Sequence, residues 1–204
     1  YPLFWDKFER SNYFLQAAIE TANSEIDDRT VAFLLDRPLD DGGQWNMFVN
    51  IIKKYGVVPK SAMPESQSSS STRRMNAILL EKLREGAMSI REAAASDANE
   101  DELHEIREDY LGDIYRILAI HLGNPPRSFD WQWKDKDDEF HRDGTMTPLE
   151  FADKCITIPY QDYACLVHVP RPSIPYNATY TVKDLGNIVG GDIVKYLNAD
   201  IDVM

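Results

Sequence analysis

The chain has 204 residues, a length that suits one domain with a substantial core or two small domains. Its 43% hydrophobic and 27% charged residues are typical of a soluble globular protein, and no apolar run approaches the roughly 20 residues that cross a bilayer. The net charge of -12 is spread along the chain and argues against nucleic acid as a partner, because an acidic surface repels phosphates.

The first part of the chain predicts two helices. Large apolar and aromatic residues recur at a helical period from Phe4 to Ala22, which indicates a deeply buried helix. A short helix is predicted over Arg29 to Leu35, where Asp27 or Asp28 can cap its first turn.

A turn of two aspartates and two glycines, Asp40 to Gly43, precedes a third predicted helix. Paired glycines permit positive φ and let another backbone approach closely, since no Cβ is in the way. The helix begins near Gln44 and ends at Gly56. Its predicted buried stripe consists of Trp45, Phe48, Val49 and Ile52. From spacing alone, this stretch is an ordinary loop, helix and loop.

Two long helices are predicted after a serine-rich link at residues 67–71, which is the best candidate for a domain boundary or a mobile loop. The first helix runs from Thr72 to Ala95 and the second from Glu100 to Leu122. Asp97 to Asn99 form the turn between them. Because the turn is short, we expect the two helices to pack as an antiparallel hairpin.

The residues after Pro126 predict short strands and one short helix. Residues 129–133 alternate with period two, which indicates a half-buried strand, and residues 143–144 (Asp-Gly) signal a turn in a polar link. A capping box with proline at the first helical position predicts a helix from Thr147 to about Lys154.

Two further strand regions are predicted near the end of the chain. Tyr163 to Val169 has the composition of a buried strand. Residues 179–189 and 192–198 flank Gly190 and Gly191 with β-branched residues, which predicts a hairpin.

Together these elements predict an α+β fold that is predominantly α. We divide the chain into three parts. Residues 1–66 carry the first helices and the Gly-Gly turn, residues 67–126 form the helical hairpin, and residues 127–204 form a mixed, loop-rich segment with short strands.

Neither cysteine has the setting of a nucleophile. Cys155 lies at the predicted end of a short helix and Cys165 lies within a predicted strand, whereas reactive thiolates favour helix N-termini and a neighbouring imidazole. Two cysteines are also too few for a disulfide scaffold, so we expect free structural thiols in the core and a cytoplasmic location. We therefore assign no catalytic residue within the chain.

The four histidines are not predicted to be bases or metal ligands. His104 lies in a run of charged residues without a Cys or His partner at ligand spacing, and His121 lies near a helix C-terminus. His141 falls in a predicted polar turn and His168 in a predicted strand. Residues 186–191 lack the Gly-Lys-Ser/Thr ending of a phosphate loop. We expect no metal and no cofactor.

Several stretches have an amino-acid sequence that is specific to one enzyme family. They include residues 41–45 (Asp-Gly-Gly-Gln-Trp) and 54–61 (Lys-Tyr-Gly-Val-Val-Pro-Lys-Ser). Residues 4–15 (Phe-Trp-Asp-Lys-Phe-Glu-Arg-Ser-Asn-Tyr-Phe-Leu) and stretches within residues 114–126 and 180–191 also match. The chain resembles the papain-like cysteine peptidases over most of its length, and within them the aminopeptidase C and bleomycin hydrolase branch.

The resemblance implies part of a papain-like peptidase fold with an inserted helical hairpin and a small β region. The full enzyme would remove N-terminal residues from peptides through a thioester intermediate, without metal or cofactor. In this family the nucleophile stands in a Cys-Trp pair, which this sequence lacks. We therefore expect the catalytic Cys before Tyr1 and the His and Asn after Met204. The chain would be an internal piece that is inactive alone.

The resemblance also assigns a substrate site and partners. In papain-like enzymes the Gly-Gly turn lies along the cleft and exchanges main-chain hydrogen bonds with the peptide substrate. Gly42 and Gly43 would hold the substrate backbone, with Asp41 and Gln44 at the rim. Members of the branch form hexameric rings, so a homo-oligomer is expected for the full enzyme, with no membrane partner. The alternative is a non-enzymatic helical interaction or assembly module derived from such a peptidase.

Overall fold

The computed structural model of the chain describes residues 1–182 and 185–203. Its helices, in chain order, are α1 (Pro2–Glu20), α2 (Arg29–Asp36), α3 (Trp45–Tyr55), α4 (Gln67–Ser70), α5 (Arg73–Ala95), α6 (Glu100–Leu122) and α7 (Pro148–Cys155). Its strands are β1 (Phe129–Lys134), β2 (Phe140–Met146), β3 (Cys165–Val167), β4 (Ala178–Tyr180) and β5 (Tyr196–Asn198), followed by a 3-10 turn at Ile201–Val203. The fold is α+β and predominantly α, as predicted. Within the described ranges, no helix is long and apolar enough to cross a membrane.

The main hydrophobic core lies between α1, α5 and α6. Each helix contributes an apolar stripe at helical spacing, and packing the stripes together removes their surface from water. The fully buried side chains of this core include Phe4, Leu15, Met75, Leu79, Leu83, Ile90, Ile114 and Leu118. The predicted antiparallel hairpin is confirmed, and both of its helices also pack on α1.

Side-chain caps define where the shorter helices begin. The carboxylate of Asp28 accepts a hydrogen bond from the backbone N–H of Thr30 at 2.8 Å, which confirms the predicted cap of α2. Thr147 and Glu150 form the predicted capping box of α7. The serine-rich link, predicted as a loop, contains the short helix α4, because Ser66 and Ser69 cap each other in the same way.

The buried surface of α3 differs from its predicted stripe. Phe48 is 43% exposed and Trp45 is half-buried, so this part of the prediction was wrong. The buried residues of the helix are Met47, Val49, Asn50, Ile51 and Ile52. The buried face is wide because α3 packs on α1 and α7 and also hydrogen-bonds to residues near the end of the chain.

A buried acid and a pair of aromatic rings hold α1 against α3. The Glu9 carboxylate is 1% exposed and accepts hydrogen bonds from Lys54, at 2.7 Å, and from the hydroxyl of Tyr55. The ring of Trp5 stacks on that of Tyr55 with centroids 3.9 Å apart. Burial and the hydrogen bond to Glu9 together raise the pKa of Tyr55.

The first sheet is an antiparallel hairpin of which the sequence predicted one strand. β1 is confirmed and pairs with β2, and a bulge interrupts the register after Trp131. Asp143 and Gly144 were predicted to form a turn but lie within β2, where Gly144 adopts a φ of 80° at the bulge. His141 therefore lies in a strand rather than in a polar turn.

The second sheet has the order β3-β5-β4, with β5 parallel to β3 and antiparallel to β4. The predicted buried strand over Tyr163 to Val169 shrinks to β3, and its Leu166 is 49% exposed, so the predicted burial was wrong. The predicted tight hairpin around Gly190 is also wrong. The strands β4 and β5 do pair antiparallel, but residues 181–195 connect them, so Gly190 lies in a long connection and not in a tight turn. Residues 183–184 of that predicted hairpin lie outside the described residues.

Candidate functional site

The segment Asp40–Gln44, called the glycine segment below, runs without helical or strand pairing into α3. Gly42 and Gly43 are exposed, but neither takes a positive φ. The prediction that a positive φ requires glycine at these positions was therefore wrong. The absence of a side chain matters sterically at Gly43, where an added Cβ would lie 2.9 Å from Nη2 of Arg10. At Gly42 an added Cβ would make only ordinary contact with Asp40.

A fully buried lysine of α1 anchors the segment from beneath. The ammonium of Lys7 is 2.6 Å from the Asp41 carboxylate and donates a hydrogen bond to the backbone carbonyl of Asp40. The Asp41 carboxylate also accepts hydrogen bonds from Thr72, at 2.8 Å, and from Asn76, at 3.0 Å. Asp41 therefore ties the glycine segment to α1 and to α5 at once.

This network explains the acidity of Asp41. Partial burial alone would raise the pKa of its carboxyl group, because desolvation disfavours the charged form. The hydrogen bonds from Lys7, Asn76 and Thr72 outweigh that effect and lower the pKa to about 2. Asp41 is thus a fixed negative charge, not a proton donor or acceptor near neutral pH.

The glycine segment forms one wall of an open cleft with a volume of about 380 Å³. The floor and the opposite wall come from the start of α1 and the first turns of α3. The residues that line the cleft are Pro2, Leu3, Asp6, Arg10, Asp41, Gly42, Gly43, Gln44, Trp45, Met47, Phe48 and Ile51. All four residues predicted for substrate binding therefore lie on one cleft, beside apolar side chains and exposed backbone.

The two cysteines lie away from this cleft. Cys155 is exposed at the end of α7 and Cys165 is half-buried in β3, so the prediction that both lie in the core was wrong for Cys155. Burial of the Cys155 sulfur is the main effect that raises the pKa of its thiol, and the neighbouring Lys154 only partly offsets it. Neither cysteine borders the cleft.

Each histidine has a structural partner close to it. His121 Nδ1 lies 2.8 Å from the hydroxyl of Ser68, and His168 Nδ1 lies 3.2 Å from the carbonyl oxygen of Ala199. His104 Nε2 is 3.7 Å from a carboxylate oxygen of Glu100.

The fourth histidine belongs to a group that the sequence analysis missed. His141 Nε2 is 3.0 Å from Asp135, and ligand atoms of Asp135, Glu139 and His141 all lie within 4.8 Å of one another. Asp135 and Glu139 lie in the connection between β1 and β2 and His141 lies in β2, so the group was missed because β2 was not predicted. The hydrogen-bond contact between Asp135 and His141 accounts for their proximity.

Lys7 and Arg10 were also missed, although both contact the glycine segment. A signal for Lys7 exists in the sequence. It lies three residues after Phe4 and eight before Leu15 on the buried face of an aromatic helix, a position where a charge requires a partner.

Comparisons with known proteins identify the family of the chain. A family described as "Peptidase C1-like family" matches residues 1–204. Bleomycin hydrolase from Gallus gallus is 46% identical over 209 residues, which cover 100% of this chain and 46% of that protein. Aminopeptidase C from Listeria innocua serovar 6a is 45% identical over 204 residues, covering 100% of this chain and 46% of that protein.

A solved structure gives the same result for the fold. The crystal structure of pepw from Lactobacillus rhamnosis HN001 matches with a TM-score of 0.96 at 45% identity, covering 100% of this chain and 46% of that one. The chain therefore spans about half the length of the relatives that it matches.

Proposed function

The chain belongs to the peptidase C1-like family, and we propose that it forms part of a papain-like cysteine aminopeptidase. The protein would hydrolyse N-terminal residues from peptides through a thioester intermediate. The observation that carries this proposal is the cleft in which Gly42 and Gly43 expose their backbone beside apolar walls. The identity to aminopeptidase C and bleomycin hydrolase supports it over the whole length of the chain.

In this proposal the chain contributes the binding wall of the active site. The backbone of Gly42 and Gly43 pairs with the main chain of the substrate, in the manner of a short added strand. Gln44 stands at the rim. Asp41 also borders the cleft, but its carboxylate already has three protein partners, so we assign it to holding the segment in place.

The catalytic Cys, His and Asn are assigned to parts of the protein beyond this chain, the Cys upstream of Tyr1 and the His and Asn downstream of Met204. The setting of Cys155 and Cys165 supports this assignment, because neither lies at a helix N-terminus or at the cleft. Pro2 borders the cleft, so a segment joined to Tyr1 would start next to the glycine segment.

A substitution at Gly43 in the full protein tests the proposed site. Gly43→Val adds a branched side chain to the exposed backbone of the segment and sets its Cβ against Arg10 Nη2, which forces the backbone or the guanidinium to shift. We expect KM for a dipeptide-like substrate to rise at least tenfold, roughly the effect of losing one or two main-chain hydrogen bonds. Gly112→Val in α6 is the matched control, since an added Cβ there meets nothing within 4 Å. An unchanged KM and kcat/KM for Gly43→Val would contradict the proposal.

The alternative is a non-enzymatic assembly module, and one surface favours an assembly role in either case. Ile26, Phe33 and Met88 are each more than 60% exposed around α2 and α5, beside an apolar groove of about 580 Å³.

We propose that the full protein is a homo-oligomer, a hexamer by family resemblance. Light scattering of the purified full protein tests this, and a monomeric mass would contradict it. Aminopeptidase turnover separates the enzyme from the module.

A further inference from the structure

Arg10 of α1 holds the glycine segment at two residues, Asp40 and Gly42. Its Nε lies 2.9 Å from both carboxylate oxygens of Asp6, one turn earlier on the helix. Its Nη2 donates to the carbonyl oxygen of Gly42 at 2.5 Å, and Nη1 lies 3.3 Å from the Asp40 carboxylate. The Arg10 side chain is 13% exposed, whereas Asp40 and Gly42, its partners in the glycine segment, lie at the surface.

The contact to Gly42 fixes the direction of the next N–H group. The carbonyl of Gly42 and the N–H of Gly43 belong to one planar trans peptide, in which they point in opposite directions. Because the carbonyl points to Arg10, the N–H of Gly43 points to the other side. In the described part of the chain, no residue accepts a hydrogen bond from that N–H.

The guanidinium also limits how the segment can move. Its Nη2 lies where a Cβ of residue 43 would come within 2.9 Å, so the planar group packs against the backbone of Gly43. Lys7 restrains the preceding residues from the same helix through Asp41. A guanidinium can make these contacts together because its donors are arranged as a rigid fork, which an ammonium lacks.

We propose that Arg10 is the positioning residue of the cleft: it orients the Gly42–Gly43 peptide so that the Gly43 N–H is presented to the substrate. The inference rests on the proposed function for its effect on substrate, but not for its effect on the segment itself. Arg10 does not take part in bond making or breaking. It acts through the conformation of the backbone that binds.

The test compares two arginines in the full protein. Arg10→Lys keeps the charge but cannot reach Asp6, Asp40 and Gly42 at once. We expect KM to rise about tenfold with kcat changed less than twofold, the result of losing an interaction that acts in binding. Asp6→Asn, which weakens the hold on Arg10 without touching the glycine segment, is expected to raise KM in the same direction by a smaller factor.

Arg91→Lys is the matched control. Arg91 is also partly buried and also donates to backbone carbonyls, those of Thr21 and Ser24, but it lies away from the cleft. We expect this variant to lower the melting temperature and leave KM unchanged. A rise in KM for Arg91→Lys as large as for Arg10→Lys would show a general loss of stability and would overturn the proposal.

A crystal structure of the full-length Arg10→Lys protein gives a second result that needs no activity. The carbonyl of Gly42 is expected to turn away from its wild-type direction, and the Gly43 N–H with it, while α5 stays unchanged. If the wild-type protein has no peptidase activity, the proposed function fails, and the orientation of this peptide still decides the role of Arg10. An unchanged orientation of the Gly42–Gly43 peptide would overturn the inference.

Discussion

At the scale of single residues, the pair of Lys7 and Asp41 controls how the glycine segment is attached. Lys7 is fully buried, whereas the Asp41 side chain remains 52% exposed, so the pair lies at the boundary between core and solvent. A buried ammonium without its carboxylate would be strongly destabilising, and the partial exposure of Asp41 moderates that effect. The three hydrogen-bond partners of Asp41 belong to α1 and to the start of α5, so Asp41 links these two helices.

The low pKa of Asp41 predicts how acid weakens this link between α1 and α5. Its pKa is about 2 in the folded protein against an ordinary value of 3.8, so its stabilising effect is present above pH 4 and is lost as the pH falls toward 2. Asp41→Asn should lower the free energy of unfolding at pH 6 by roughly 1 to 3 kcal/mol. The difference in melting temperature between wild type and variant should shrink below pH 4.

Thermal unfolding followed by circular dichroism between pH 2 and pH 7 measures this difference. Asp113→Asn is the control, because Asp113 forms ion pairs at the surface of the helical hairpin. Its effect should be small at every pH. A difference for Asp41→Asn that stays constant from pH 6 to pH 2 would contradict the linkage.

The sequence predicted part of this site at the residue scale. The family resemblance of the sequence around Gly42 and Gly43 pointed to the segment. All four predicted residues line one cleft. Arg10 and Lys7 could not be assigned by periodicity, since their partners lie about 30 residues further along the chain. Local patterns identify which residues share a face, not which distant residues meet them.

At the scale of elements, two glycines in the helical hairpin have opposite roles. Gly86 of α5 lies where the three core helices meet, and an added Cβ would be 2.9 Å from Leu15 and 3.1 Å from the ring of Tyr110. Gly112 of α6 has nothing within 4 Å of such an atom. The close packing of α1, α5 and α6 therefore depends on the first glycine and not on the second.

Alanine at these two positions should change stability in opposite directions. Gly112→Ala should raise the free energy of unfolding by roughly 0.5 to 1 kcal/mol, because alanine is the better helix former. Gly86→Ala gains the same propensity but crowds the core, and we expect a net loss of about 1 to 3 kcal/mol. Urea unfolding of both variants checks the pair, and stabilisation by Gly86→Ala would contradict the close contact.

The junction between α3 and α7 depends on a third glycine. Gly56 ends α3 with a φ of 72°, and an added Cβ would lie 2.1 Å from the carbonyl oxygen of Pro148, a backbone atom that cannot turn aside. The N–H of Val57 donates to the same carbonyl at 3.1 Å. The glycine is therefore required both by its conformation and by the approach of α7.

Gly56→Ala is expected to lower stability by at least 3 kcal/mol, since it adds a clash to the conformational strain. Gly123→Ala is the comparison, because Gly123 has a φ of 84° with open space around it and should cost only the backbone strain of about 1 to 3 kcal/mol, less than Gly56→Ala. Melting temperatures of the two variants measure the difference. Equal losses would show that the contact with Pro148 is unimportant.

Long elements are predictable from the sequence, whereas short ones are not. The long helices were predicted within a few residues because many apolar positions repeat at a helical period. β2 and the pairing of β3 with β5 were missed, because three-residue strands carry no period, and the bulge at Gly144 has the composition of a turn. The exposed Phe48 was misassigned because a residue beside a cleft has the same hydrophobicity as one in a core.

At the scale of the whole molecule, α3 joins the helical part of the chain to its last residues. Asn50 is 5% exposed and donates to the carbonyl of Asp192, at 2.9 Å, and to the side chain of Asn187, at 3.3 Å. Asn187 in turn donates to the carbonyl of Met47 at 2.9 Å. Trp45 donates to the carbonyl of Tyr160 at 3.0 Å. A buried polar seam therefore links regions that are distant in sequence.

Removing one amide should open this seam. Asn50→Ala leaves Asn187 and the Asp192 carbonyl without a donor, and we expect a loss of about 1 to 3 kcal/mol. Trypsin should cleave at Lys195 several-fold faster in the variant, because the segment around it is then held by fewer contacts. Asn23→Ala, at an exposed position, is the control. Unchanged cleavage at Lys195 would contradict the role of the seam.

The seam could not be predicted, since an asparagine in a helix usually faces water, and its partner here lies 137 residues away. That separation also has a consequence during synthesis. At about 5 to 20 residues per second, Asn187 leaves the ribosome roughly 7 to 27 s after Asn50. During that interval the Asn50 side chain lacks its native partners, and the nascent chain must hold α3 first by its contacts with α1 and then, once residues 148–155 have emerged, by those with α7.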